Sequence, residues 1–167
     1  MSRRVDNLTE YVNELARRVR RLEDEAAVLR LVCSWGPAVD TGSSSEAGAL
    51  WAADGVLESD MSRLEGPSEV TAMVRSDGQQ SLIRQGCAHV QSAPIVTIDG
   101  DEGVATTYSQ VFLHSETGGH QVWRVSANRW VCRRTEDGWR LVRRVNRVID
   151  GSPGPREILT QVLDGGR

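Results

Sequence analysis

The sequence predicts an α+β fold, with helices first and an antiparallel sheet after them. Three observations lead there. The apolar residues of the first third recur at helical spacing, beginning with Leu8, Leu15, Leu22 and Leu29. From Ala88 onward the pattern changes to alternating stretches such as Val104–His114. Those stretches are separated by the turn sequences Asp99-Gly100-Asp101, Gly118-Gly119 and Glu136-Asp137-Gly138. A chain of 167 residues suits one core with appendages.

The first element is a helix free of Pro and Gly through residue 35. With Val5 as position a of a heptad, Val12, Val19 and Ala26 follow at a, and Leu8, Leu15, Leu22 and Leu29 fall at d. β-Branched a residues with Leu at d favour a parallel two-stranded coiled coil. Across such a seam Arg18 faces Glu23 and Glu25 faces Arg30, each g-to-e pair being oppositely charged. The alternative is an amphipathic helix packed on its own domain. Gly36-Pro37 ends or kinks the helix, since proline removes a helical hydrogen bond.

Ser45 is expected to cap a second helix through Trp51, ended by Asp54-Gly55, with a short strand at Val56–Glu58. Gly66-Pro67-Ser68 begins a third helix through Val74. Val90–Ile98 reads as an edge or bulged strand because Pro94 interrupts it. Strands follow at Val104–His114, Gln121–Arg134 and Trp139–Ile149. Gly151–Pro155 reads as a linker to a short C-terminal helix around Ile158, Leu159 and Val162.

Composition excludes several classes. The net charge of −3 argues against nucleic-acid binding. No apolar run approaches the roughly 20 residues that span a bilayer, and no signal-peptide core precedes the first helix, so the expected address is the cytoplasm. Cys33, Cys87 and Cys132 are scattered, without zinc spacing. All 20 basic residues are arginine, which excludes a Schiff-base lysine and a P-loop. With no phosphate loop and no metal-ligand cluster, neither cofactor nor metal is expected.

The ordered set Ala38-Val39-Asp40-Thr41-Gly42, Leu50-Trp51-Ala52-Ala53-Asp54-Gly55-Val56, Gly66-Pro67, His89, Ile98-Asp99-Gly100-Asp101 and Asp137-Gly138-Trp139-Arg140-Leu141 resembles the SnoaL-like branch of the nuclear transport factor 2-like superfamily. The resemblance implies a cone, in which a curved antiparallel sheet wraps around the N-terminal helices and leaves a pocket at its open end. It covers residues 24–150. Residues 1–23 then form a helical extension, and residues 151–167 a C-terminal linker and short helix. Within the branch the pattern resembles the scytalone dehydratase family, with Asp40 after the first helix, His89 at the start of a strand, His114 near the end of the next, and Ser126-Ala127-Asn128 beyond it. The related hexachlorocyclohexane dehydrochlorinase uses an Asp/His pair at the first two positions. Val39 stands where scytalone dehydratase has a tyrosine.

The resemblance implies a cofactor-independent lyase (a dehydratase) or isomerase acting on a small cyclic hydroxy-ketone. His89 would abstract a carbon-bound proton, and Asp40 would fix its tautomer. Two readings of this pair stay open, the other being a loop-capping Asp40 and a core histidine. His114 and Tyr108 share a strand face that is polar enough for a pocket wall, or else His114 sits at the solvent edge. Ser126 and Asn128 share a face with Trp130 and are candidate substrate contacts, as is Trp35; a cross-strand hydrogen bond is the alternative for Asn128. The arginines at 129, 133, 134, 140, 143, 144 and 147 are expected mostly on the outer sheet face, with Arg143 or Arg147 the candidates to meet an acidic substrate. The expected partners are a small hydrophobic or aromatic ligand and further copies of the chain, as a dimer or trimer. A non-catalytic ligand-binding or assembly module on the same fold is the competing class. A third is the small subunit of a ring-hydroxylating dioxygenase, which would need a large partner.

Overall fold

The computed structural model describes the backbone of residues 2–164 and the side chains of residues 7–163. Val5, the first a position, lies outside the described side chains. Helix α1 (Ser2–Cys33) is followed by α2 (Trp35–Asp40), α3 (Ser44–Ala49), β1 (Trp51–Glu58), β2 (Arg63–Glu65), α4 (Gly66–Arg75) and α5 (Asp77–Gln85). Then come β3 (Cys87–Gln91), β4 (Ile95–Asp99), β5 (Glu102–Ser115), β6 (Gly119–Thr135), β7 (Gly138–Val148) and α6 (Pro153–Asp164). The strands form one sheet in the order β2-β1-β7-β6-β5-β3, and β4 extends it along β5. All pairings are antiparallel except that of β1 with β7, so the sheet is mixed rather than purely antiparallel.

Several boundaries differ from the sequence reading. Gly36-Pro37 breaks the first helix as expected, at Ser34, but the chain stays helical beyond it: both residues fall in the first turn of α2, where a missing backbone donor costs nothing. Residues 51–55 are strand, not helix, because Trp51 pairs with Leu141 of β7. Helix α5 has no counterpart in the sequence reading. Pro153 opens α6, so most of the expected linker is helical. Pro94 separates two strands, β3 and β4, and both pair with β5.

The core lies between the concave face of the sheet and helices α1 to α4. Val28 and Val32, one turn apart on α1, are fully buried with Trp35, Val39, Val70, Val74, Trp130, Cys132 and Leu141. Burying such side chains contributes about 1.5–3 kcal/mol each. Asp24 marks where α1 meets the sheet; its carboxylate accepts from Arg134 Nη2 at 2.6 Å and Trp139 Nε1 at 3.2 Å. Before that point the helix projects, and beyond it one face stays exposed. Leu8, Leu15, Leu22 and Leu29 are all exposed, as are Val12 and Val19.

Two β-bulges set which side chains face inward. Val131 pairs with Arg143 but Cys132 pairs with Leu141, leaving Val142 as an extra residue in β7. Val111 pairs with Arg124 but Phe112 pairs with Val122, leaving Trp123 extra in β6. Each extra residue reverses the in–out alternation of its strand.

Candidate active site

Helix α2 and strand β3 meet closely because residue 36 is glycine: a Cβ there would collide with the His89 carbonyl oxygen. Gly86, at φ 89°, turns the chain from α5 into β3, a conformation that only glycine adopts without strain. This approach sets the end of α2 against the start of β3. Asp40 Oδ1 lies 2.5 Å from His89 Nδ1, and Asp40 Oδ2 accepts from the His89 backbone N–H at 2.7 Å. The Cys87 thiol donates to Asp40 Oδ1 at 3.3 Å.

Burial raises the Asp40 pKa, but the His89 ring and backbone donors, the charge of His89 and the Cys87 thiol outweigh it and hold the carboxyl below its ordinary value. Cys87 moves the other way: burial first, then its bond to Asp40 and the carboxylate's charge, push the thiol up to about 11. Asp40, Cys87 and His89 are the one group among the described residues with metal-ligand types in reach of one another. Its geometry does not suit a metal, because ligands held at about 2.0–2.3 Å around one ion stand farther apart than the 2.5 Å between Asp40 and His89.

His89 lines a cavity of about 440 Å³ at the open end of the sheet, a size typical of small-molecule sites. Most of its wall surface is apolar (Trp35, Val39, Leu57, Met73, Val111 and others), while 11 of the 21 lining residues are polar or charged. Among the described residues, His89 Nδ1 is bonded to Asp40 and Nε2 has no hydrogen-bond partner, so Nε2 is the ring nitrogen left for a ligand.

The other expected site residues divide. Trp35 and Ser126 line the cavity. Asn128 shares their face but lies fully buried beneath it, donating to Ser109 Oγ at 2.9 Å and accepting from Arg144 and Asn146. Tyr108 and His114 are exposed and stand apart from the cavity; His114 stacks against His120 across the β5–β6 pairing. The inward face of β5 is the odd-numbered set Thr107, Ser109 and Val111, so the pocket wall is the face opposite the one the sequence suggested.

Of the seven arginines expected mostly on the outer sheet face, only Arg144 lines the cavity. Arg143 and Arg147 turn away from the cavity and pair with Glu58. Arg124 and Arg144 line it instead. Alternation from the inward residues Trp139 and Leu141 would bring 143 and 147 inside; the extra Val142 brings in 144 and 146. Only that bulge separates the two outcomes, and the sequence does not announce it.

Arg124 donates to Ser126 Oγ at 3.0 Å, to Asn146 Oδ1 at 2.8 Å and to Asp60 at 3.2 Å. Arg144 is 7% exposed. Its Nε and Nη2 donate to Asn128 Oδ1 at 3.0 and 2.8 Å, and its guanidinium lies 4.2 Å from the Trp130 ring centre and 5.1 Å from that of Trp35. Burial, then the nearby charge of Arg124, lower its pKa to about 9, which leaves it charged at neutral pH.

The SnoaL-like domain model matches residues 20–145. The chain belongs to the SnoaL-like family. An NTF2-like protein with a cystatin-like fold from Novosphingobium aromaticivorans is 36% identical, with a TM-score of 0.85 over 88% of this chain and 96% of that one. A structure from Catenulispora acidiphila in complex with S-DNPA, 17% identical, superposes with a TM-score of 0.63 over 74% of this chain and 91% of that one. A Streptomyces protein, Aln2, is 18% identical with a TM-score of 0.65, over 75% of this chain and 90% of that one. At that identity the last two show the fold alone. No curated protein matches the chain in sequence. No helix among the described residues is long and apolar enough to cross a membrane.

Proposed function

We propose that this SnoaL-like domain is a cofactor-independent acid–base enzyme, a lyase or isomerase that removes a proton beside the carbonyl of a small cyclic hydroxy-ketone. The observation that carries the reading is the 2.5 Å contact of Asp40 Oδ1 with His89 Nδ1, in a side chain that lines the cavity. With Nδ1–H donated to Asp40, Nε2 is the basic nitrogen of the neutral ring. When Nε2 takes the proton, the adjacent carboxylate stabilises the imidazolium. The electron pair of the C–H bond passes to the carbonyl oxygen as an enolate, which returns to expel a β-hydroxyl that takes the proton from His89 and leaves as water; from a β,γ-unsaturated ketone the dienolate is instead reprotonated by His89 at the γ carbon. The mostly apolar walls favour an alicyclic or aromatic skeleton.

The test is dehydration or double-bond migration of cyclic hydroxy-ketones, followed by absorbance of the new conjugated system. Turnover by the wild type that is lost in His89→Ala is the expected result. Ligand binding without turnover across such a panel would make the domain the binding module that is the competing class.

We further propose that the projecting part of α1 pairs two chains. The domain uses Val28 and Val32 for its own core and leaves Leu8, Leu15, Leu22 and Leu29 exposed. A parallel seam covers that stripe and brings Arg18 to Glu23 and Glu25 to Arg30 of the second copy.

A further inference from the structure

We propose that Arg144 is the anchor of a carboxylate subsite, so that the ligand of this cavity is an acid: a cyclic or aromatic ring bearing one carboxylate. The inference rests on the proposed function only for the reacting end of the ligand; the anchor stands on the arginine's own surroundings.

Arg144 is more than nine-tenths buried and faces the cavity. Buried guanidinium groups are ordinarily paired with carboxylates. Among the described residues none lies within 4.0 Å of Arg144. Its nearest polar neighbour is the neutral amide oxygen of Asn128, which also accepts from Asn146 Nδ2 at 2.6 Å. That oxygen takes Nε and Nη2, and Nη1 has no hydrogen bond among the described residues. Trp130 and Trp35 supply π faces and no acceptor. The side chain is thus held in place while part of its donor fork is left free.

The unpartnered guanidinium of Arg144 favours a single carboxylate. The second lining cation, Arg124, is paired with Asp60. At the far wall the Asp40 carboxylate is taken up by the His89 ring, the His89 backbone and the Cys87 thiol. Among the described cations lining the cavity, Arg144 is the one without a carboxylate partner. A planar carboxylate suits a planar fork and brings one negative charge. A phosphate dianion would leave a charge over, and no glycine-rich loop is present to cradle it.

Two probes of one shape separate charge from fit: 2-naphthoate and the neutral 2-naphthamide, titrated calorimetrically into the full-length protein at pH 7.5. Wild type is expected to bind naphthoate at least about tenfold more tightly than the amide, the size of a charge-assisted hydrogen bond. In Arg144→Gln the preference falls to about one. In His89→Ala it persists, so the anchor and the acid–base reading fail separately. Should Arg144→Gln not fold, as judged by circular dichroism, Arg144→Lys keeps the charge, loses the planar fork, and is expected to show a reduced preference. Equal binding of the two probes by wild type, binding of neither, or an undiminished preference in the arginine variant that folds would overturn the proposal.

Discussion

The two polar ends of the cavity are built in opposite ways. At the α2–β3 end the carboxylate is fully engaged by donors: Asp40 receives the His89 ring, the His89 backbone and the Cys87 thiol. At the β6–β7 end Arg144 sits buried on a neutral amide and two indole rings. Burying an unpaired ion costs several kcal/mol, while cation–π contacts return about 0.5–2 kcal/mol. A matched pair suits moving a proton, because the charge formed on His89 is stabilised where it forms. An unmatched cation suits binding, because the missing charge can come with a ligand. If that contrast is right, damage at the first end appears in kcat and damage at the second in KM.

The largest effect is expected at the matched end. His89→Ala should lower kcat by about a hundredfold or more, the size of a general-base contribution, with KM little changed. Asp40→Asn should follow it, since the amide forfeits the charge that stabilises the imidazolium. Arg144→Gln should raise KM for an acidic substrate by about tenfold and leave kcat nearer the wild-type value. Steady-state kinetics on the three variants, with the same substrate, separates the two ends.

A smaller effect concerns pH and stability. The Asp40 carboxyl titrates lower in the folded protein than in the unfolded chain. Its ionised form therefore stabilises the fold at any pH above roughly 4, and that contribution is lost as the pH falls through the lower folded value. Acid unfolding followed by circular dichroism should show a shallower loss below about pH 4 in Asp40→Asn, from a lower starting stability. Smaller again is Cys87→Ser, which exchanges one weak neutral donor for another and should change kcat by less than about threefold. With its thiol pushed up to about 11, Cys87 should alkylate far more slowly in native than in unfolded protein at pH 7.5.

The smallest effect on the cavity should come from deleting residues 1–23. Light scattering is expected to show a lower mass for the truncated chain, with naphthoate binding unchanged. An unchanged mass would remove the coiled-coil pairing and leave the two ends of the cavity as they are.

The same contrast explains what the sequence could and could not disclose. The fold was legible because helical spacing, then alternation with turn residues, carries through most of the chain. Asp40 and His89 were legible through the ordered motifs that resemble the SnoaL-like branch; the part of Gly36 and Gly86 in bringing them together shows only in the structure. The Arg144 end was not. It depends on an unpaired Val142 in a strand where four of the residues from 140 to 147 are arginine, and a shift of one position exchanges inside for outside. Tyr108 and His114 were misplaced by the same ambiguity of phase, since β5 carries polar groups on both faces. Trp51 was read as helix because its strand partner is Leu141, ninety residues away, a contact no local pattern contains.

The central claim is that His89 takes a carbon-bound proton from a ligand in this cavity, and solvent deuterium exchange reads that step without requiring the natural substrate. With 4-oxo-1,2,3,4-tetrahydronaphthalene-1-carboxylate in D₂O, proton NMR follows loss of the hydrogens beside the ketone. Wild type should speed the exchange well above the uncatalysed rate, and His89→Ala should lower that acceleration by about a hundredfold or more. Exchange at the wild-type rate in His89→Ala, or none above background in wild type saturated with the ligand, would contradict the account.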